Sequence, residues 1–143
     1  MKDAAFAKPT GLRLVSFVTG VVAILLGCIY LGPNELIRRD LDPGQVSIVA
    51  WVESAVPVWA ILFLVTGMFL VFAVMARRWV IAAHIVAIFT WTFYGVALIM
   101  SAVLSEPPSP IVTGVISLGL AVIHWGLVEA HQDAGHGKAP HGR

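Results

Sequence analysis

Four long apolar runs alternate with short polar segments along the chain. The runs cover residues 12–31, 56–76, 79–104 and 111–128. The last three contain no Asp, Glu, Lys or Arg, and the first contains only Arg13, near its start. Because about 20 apolar residues in a helix cross the hydrocarbon core of a bilayer, the pattern predicts four transmembrane helices.

The continuity of these runs predicts helices rather than strands. Strands of a membrane barrel alternate apolar and polar residues, and these runs do not. Within lipid, only a helix satisfies every backbone donor and acceptor inside one segment. We therefore predict an all-α integral membrane protein, with one membrane domain whose four helices form an up-down bundle.

Polar segments set the boundaries of the predicted domain. The turn at 105–110 has the sequence Ser-Glu-Pro-Pro-Ser-Pro, which cannot be helical because proline lacks a donor and restricts the residue before it. The last segment is rich in Gly and His, and we expect it to be disordered. The predicted polar segments are 1–11, 32–55, 77–78, 105–110 and 129–143.

The loop 32–55 is the only sizeable segment between runs. Asn34 is placed to cap a short helix, and Asp42-Pro43-Gly44 is a turn signal. Residues 46–55 are apolar apart from Glu53, which predicts a short interfacial helix leading into the second span. Pro57 would set the bend or the first turn.

Basic residues predict the orientation, since Lys and Arg concentrate in cytoplasmic segments. In a four-span arrangement Arg38 and Arg39 lie on one side of the membrane, and a larger set of seven Lys and Arg residues lies on the other. Both termini and the Arg77-Arg78 turn are therefore expected in the cytoplasm, with the protein in the inner (plasma) membrane. The larger set is Lys2, Lys8, Arg13, Arg77, Arg78, Lys138 and Arg143.

Composition agrees with a lipid environment. The chain is 59% hydrophobic and 12% charged, against roughly 45–50% and about 25% in soluble domains. A net charge of +1 with no basic stripe argues against a nucleic-acid partner.

The single cysteine, Cys28, follows Leu25-Leu26-Gly27, which has some features of a lipoprotein box. Leu26 is large for its place in such a box, and the apolar run continues after Cys28. Both features favour Cys28 as an unprocessed small residue that faces lipid or packs against a neighbouring helix.

Small residues recur at helical spacing and predict the packing faces, because helices in lipid associate through close backbone approach. The faces predict a compact bundle, a self-associating one, or both. The residues are Ser16, Gly20, Ala23 and Gly27 on the first helix, Gly95 on the third, and Gly114, Ser117 and Ala121 on the fourth.

His84 and His124 are the candidate cofactor-binding residues. Both lie near the cytoplasmic ends of their predicted spans, at the same depth. Two neutral imidazoles so placed can ligate a b-type haem iron axially, line a quinone site or hold a metal. Alternatively, each hydrogen-bonds a backbone carbonyl or a neighbouring Thr, Ser or Trp. The second interpretation is favoured, because Ala87 and Ala121 merely leave room for a haem.

Other polar residues carry weaker signals. Trp91 falls near mid-membrane, where we expect it to pack the bundle and its indole N–H to need a partner. The tail histidines His131, His136 and His141, with Asp133, can bind metal but fix no geometry. Glu53 is read as an interfacial charge, with pairing to Arg38 or Arg39 as the alternative.

No motif for a nucleophile, phosphate loop or metalloprotease is present, and no predicted span has an acid or base near its middle. We therefore expect a non-enzymatic protein without a resident cofactor. The uncharged spans also argue against an ion-coupled transporter. Its partners would be the bilayer and either further copies of itself or a larger membrane complex.

The last three runs resemble a known group of proteins. Trp59 opens a run that contains Gly67 and ends at Arg77-Arg78-Trp79; Trp91-x-x-Tyr94 follows, then the turn 107–110 and a last span that ends near Glu129. This arrangement resembles the small four-span membrane proteins of actinobacterial tailed phages and prophages, some of them holin-like, over residues 56–129. The resemblance implies action by self-association in the host membrane and carries over no catalytic residues. Alternatives are an accessory subunit of a respiratory or transport complex and the haem or quinone protein described above.

Overall fold

The computed structural model describes residues 10–33, 43, 45–54, 56–106, 108 and 110–136, and within these ranges it contains helices and no strands. Four of the helices are long and apolar enough to cross a membrane. This confirms the predicted all-helical fold with four candidate membrane-spanning helices. In chain order the helices are α1 (Thr10–Tyr30), α2 (Ile48–Val52), α3 (Val58–Ala76), α4 (Val80–Leu104) and α5 (Val112–His136).

Helices α1 and α3 form one closely packed pair, held together at glycines. Gly20 lies against Gly67 and Val71, and Gly27 lies against Leu64. A Cβ atom on Gly67 would stand 2.6 Å from the carbonyl oxygen of Gly20 and 2.7 Å from the backbone nitrogen of Ile24. Only hydrogen fits there, so the two backbones come into direct contact.

Helices α4 and α5 form the second pair in the same way. A Cβ on either Gly95 or Gly114 would lie 3.0 Å from the carbonyl oxygen of the other, and Ile99 and Leu118 close the contact. The small faces predicted on α1 and α5 are thus used within one chain. Ser16, Ala23, Ser117 and Ala121 are buried on these faces.

Side chains rather than backbone join the two pairs. Thr66 on α3 and Thr90 on α4 share a buried hydrogen bond of 2.8 Å. Beyond it, Phe63 packs edge-on against Trp91 and Tyr94, with ring centroids 5.0 and 5.2 Å apart. The hydroxyl of Tyr94 is 2.6 Å from that of Tyr30 on α1. This aromatic cluster fills the end of the bundle opposite the α3–α4 turn.

The short helix α2 lies within the predicted segment 46–55 but is only five residues long. The Ser47 side chain caps it by accepting from the Ala50 N–H. Ser101 and Ser105, in the last turns of α4, accept from the backbone N–H groups of Ile48 and Val46. Serines at the end of α4 therefore hold α2 in place. Residues 34–42, including the predicted Asn34 cap, and Gly44 of the predicted turn lie outside the described residues.

The turn between α3 and α4 consists of Arg77, Arg78 and Trp79. Arg77 and Trp79 both adopt left-handed backbone conformations, with φ of 56° and 59°. The backbone N–H groups of Arg77 and Arg78 bond the carbonyl of Ala73, which ends α3. The Arg78 guanidinium lies 5.0 Å from the centroid of the Trp79 ring. The sharp reversal thus occurs where the apolar run is interrupted.

The last helix is longer than predicted. The span predicted for 111–128 continues as helix to His136, so the prediction of a disordered tail from residue 129 is wrong for 129–136. Several residues after the predicted end have high helix propensity, namely Glu129, Ala130, Gln132 and Ala134. The indole N–H of Trp125 donates to Glu129 Oε1 at 2.8 Å, one turn away. Residues 137–143 lie outside the described residues.

Substituting Gly67 should test the α1–α3 contact. Gly67→Ala should lower the free energy of unfolding by about 1–3 kcal/mol, because the added methyl group meets backbone atoms that cannot turn away. The matched control is Gly11→Ala, where nothing lies within 4 Å of the new Cβ and helix propensity predicts no loss of stability. Unfolding in mild detergent, followed by tryptophan fluorescence, measures both. Equal effects of the two substitutions would contradict this packing.

Candidate functional site

Polar side chains from three helices meet inside the bundle, at the end that holds the α3–α4 turn. Ser16 comes from α1, His84 from α4, and His124 and His131 from α5. Ser16 and His84 are fully buried, His124 is 1% exposed and His131 is partly buried. We refer to these four residues as the histidine–serine cluster. His124 and His131 are seven residues apart, so they share one face of α5.

Hydrogen bonds connect the cluster into one chain. The Nδ1 atoms of His84 and His124 are 2.8 Å apart. The Nε2 atom of His84 is 2.9 Å from Ser16 Oγ, and the Nε2 atom of His131 is 3.2 Å from the same oxygen. The order is therefore His124, His84, Ser16 and His131.

One assignment of protons satisfies every bond in this chain. The Ser16 hydroxyl donates to the Leu12 carbonyl at 3.0 Å, so its oxygen accepts from both imidazoles. His84 is then protonated at Nε2 and accepts at Nδ1, where His124 donates from its own Nδ1. All three imidazoles are neutral in this assignment, which suits a buried apolar setting.

Arg13 closes the end of the cluster. Its guanidinium donates to the carbonyl of Val74, in the last turn of α3, at 3.1 Å. Arg13 is also close enough to His131 for their charges to interact. The carboxylates of α5 point elsewhere, since Glu129 bonds Trp125 and Asp133 is exposed. The fixed charge beside the cluster is therefore positive.

The arrangement of His84 and His124 does not fit axial ligation of a haem iron between them. Two axial histidines hold the iron and its porphyrin between their ligating nitrogens. Here the facing nitrogens bond each other directly, the ring centroids are 5.1 Å apart, and the other nitrogen of His84 is engaged by Ser16. The sequence predicted only that the two histidines share a depth, and in the structure they are hydrogen-bond partners of each other. Of the predicted partner types, the bond to Ser16 is the one found.

The tail histidines, which carry only a weak metal-binding signal in the sequence, form no metal site in the part of the chain that the structure describes. There, no three or more His, Cys, Asp or Glu side chains are arranged to hold a metal ion. His131 lies in α5 and bonds Ser16 rather than belonging to a tail. The side chain of His136 and all of His141 lie outside the described residues.

Trp91 packs the bundle, as predicted, but without a partner for its indole N–H. The residue is 5% exposed, and its Nε1 has no hydrogen-bond partner among the described residues. The partner expected for this N–H is therefore not among the described residues. The ring contact with Phe63 accounts for its burial.

The remaining singled-out residues lie away from the cluster. Cys28 is exposed within α1, which continues to Tyr30. Glu53 ends α2, and the arginines suggested as its partners, Arg38 and Arg39, lie outside the described residues.

Sequence reasoning missed His131 and Arg13 as members of one site. His131 was assigned to a disordered tail, although its spacing of seven from His124 is a helical signal. Arg13 was read only as an orientation signal. Ser16 was read only as a small packing residue, whereas its hydroxyl is the centre of the cluster. The pairing of Ser16 with His84 depends on which helices are neighbours, and periodicity within one helix does not show that.

Comparisons with known protein families, with curated proteins and with solved structures find no match to this chain.

Purified protein should be colourless. Because His84 and His124 bond each other, we expect no Soret band in protein isolated from haem-replete cells in mild detergent. The matched measurement is the same spectrum for His124→Ala. A Soret band in the natural protein that this substitution abolishes would contradict the assignment.

Proposed function

We propose that this chain is a non-enzymatic inner-membrane protein whose four spans form an up-down bundle, and that it acts as holins do, by self-association in the bilayer. The observation that carries the proposal is how the glycines are distributed. Those that face other helices are packed closely within the chain, whereas two on α5 face outward with open space around them.

The contacts between helices support the up-down arrangement. Along α1, residue 20 meets residues 67 and 71 while residue 27 meets residue 64, as expected for helices that run in opposite directions. Along α4, Gly95 meets Leu118 while Ile99 meets Gly114. The positive-inside rule favours a cytoplasmic position for the exposed Arg77 and Arg78, and in an up-down bundle both termini would then lie in the cytoplasm as well.

The interior leaves little for a substrate to bind. The histidine–serine cluster satisfies its own hydrogen bonds, and Thr66 and Thr90 satisfy each other. The outward faces of the long helices are apolar, for example Met75 on α3 and Val122 on α5, each 70% exposed. A function carried out by the outer surface therefore fits this bundle better than one carried out by an internal site.

The outward face of α5 is the proposed contact between copies. Gly119 and Gly126 are two turns apart on this face, with Val122 between them, and a Cβ on either glycine would meet nothing within 4 Å. Facing lipid, such glycines contribute no side-chain contacts. Against a second α5 they would allow the close backbone approach that Gly20 and Gly67 show within the chain. A second copy is therefore the occupant we propose.

Induction in a bacterial host tests this function. The protein should collapse the membrane potential and release a co-expressed endolysin, because assembled copies would open the bilayer. Gly119→Leu should weaken both effects by filling the proposed contact. Gly11→Leu is the matched control, since nothing lies within 4 Å of a Cβ there either, but on a different helix.

Insertion must be verified in the same cells. In a Cys28→Ser background, a thiol at Glu106→Cys should react with an impermeant reagent and one at Arg78→Cys should not. Sustained growth with an intact potential, despite this topology, would refute the holin-like proposal. Recovery of a stoichiometric partner in mild detergent, without a homo-oligomer, would favour the accessory-subunit alternative instead.

A further inference from the structure

The pair formed by His84 and His124 can accept a proton without losing a hydrogen bond. In the neutral assignment, His124 donates from Nδ1 to Nδ1 of His84 across 2.8 Å. A proton added at Nε2 of His124 lets its Nδ1 proton move to Nδ1 of His84. His84 then donates from both nitrogens, to Ser16 Oγ and to His124, and His124 is neutral again.

A second proton cannot be held in this way. Both imidazoles would then carry hydrogen on each nitrogen, and two Nδ1–H groups would face each other across the same 2.8 Å. The first positive charge, between rings whose centroids are 5.1 Å apart, also opposes the second. From this geometry we infer that His84 and His124 form a binding site for one excess proton, shared between their Nδ1 atoms and oriented by Ser16.

The groups around His84 and His124 determine the electrostatic environment of the shared proton. Helix α1 contributes Arg13, and α5 contributes His131, whose ring centroid is 5.6 Å from that of His84. Helix α3 contributes the Val74 carbonyl, which Arg13 occupies, and ends at Arg77 and Arg78, which are exposed. Glu129 and Asp133 are on the exposed side of α5. The proton therefore adds positive charge where α1, α4 and α5 meet, beside a positive group.

Proton binding goes beyond the self-association proposed above and does not depend on it. Ionisable side chains inside membrane bundles commonly serve to hold or move protons. A bundle that binds one proton between α1, α4 and α5 would carry a charge in its interior that depends on pH, whether or not it assembles with other copies.

Site-resolved nitrogen NMR tests the inference directly. The full chain, labelled with ¹⁵N-histidine, would be reconstituted in lipid bilayers and followed from neutral pH down to well below the range in which free imidazole titrates, because burial and the nearby Arg13 guanidinium both oppose a positive charge at this site. We expect neutral His84 with its proton on Nε2 and neutral His124 with its proton on Nδ1. On acidification, one proton should be taken up by the pair, the His84 ring becoming charged as the His124 proton moves to Nε2.

Ser16→Ala provides a variant with a specific readout. Removing the oxygen that accepts from His84 Nε2 should lower the affinity of the pair for its proton about tenfold, the order expected for one lost hydrogen bond to a charged group. Thr19→Ala is the control, because it removes a hydroxyl one turn away that bonds only the Ser16 backbone carbonyl. This control should titrate as the natural protein does.

Three results would overturn the inference. They are uptake of two protons in independent steps, the absence of any uptake by either ring, and equal effects of Ser16→Ala and Thr19→Ala. Because the measurement uses purified protein in bilayers, a failed lysis assay would not affect it, and a failed titration would leave the assembly proposal intact.

Discussion

Direct contact between helix backbones is the constraint on which the rest of the bundle depends. Gly20 meets Gly67 between α1 and α3, and Gly95 meets Gly114 between α4 and α5. Within lipid there is no hydrophobic gain from bringing two apolar helices together, so packing and hydrogen bonds must supply the association. The glycines provide the packing, because they let the helix backbones contact each other directly. They also fix the depth at which every other side chain meets its neighbour.

The buried hydrogen bonds follow from that register. Once α1 is seated on α3 and α5 on α4, Ser16, His84 and His124 lie at one level, and Thr66 meets Thr90. These side chains pair with one another inside the chain, which lets them occupy an apolar setting, whereas the Trp91 indole N–H has no partner among the described residues. The histidine–serine cluster thus links α1, α4 and α5 inside the bundle.

Much of the fold could be predicted from the sequence because lipid imposes simple rules. Continuous apolar runs could only be helices, and Arg77-Arg78 and the prolines after Ser105 had to interrupt them. The last helix was predicted too short, because Glu129 looked like the end of a span, whereas Trp125 and Ser16 stabilise the following turns through Glu129 and His131. The partners of a buried residue were harder to predict, since they depend on which helices are adjacent.

The site illustrates the same limit. The depth of His84 and His124 could be predicted from their distance to the ends of their runs, and the structure brings them together. Depth alone did not show whether their nitrogens face a cofactor or each other. The small residues likewise did not show which partner they contact. In the structure these small residues are used within one chain, where Gly20 and Gly27 contact α3 and Gly95 and Gly114 contact each other.

Cross-linking in the native membrane can show whether α1 and α3 pack against each other within one chain. A Cβ on Gly20 would lie 3.0 Å from a methyl carbon of Val71, so a chain carrying Gly20→Cys and Val71→Cys in a Cys28→Ser background should form a disulfide under mild oxidation. The account predicts an intrachain disulfide that migrates as a monomer on non-reducing gels. Cross-linked dimers formed in place of that monomer would show that α1 and α3 pack between chains, and would contradict it.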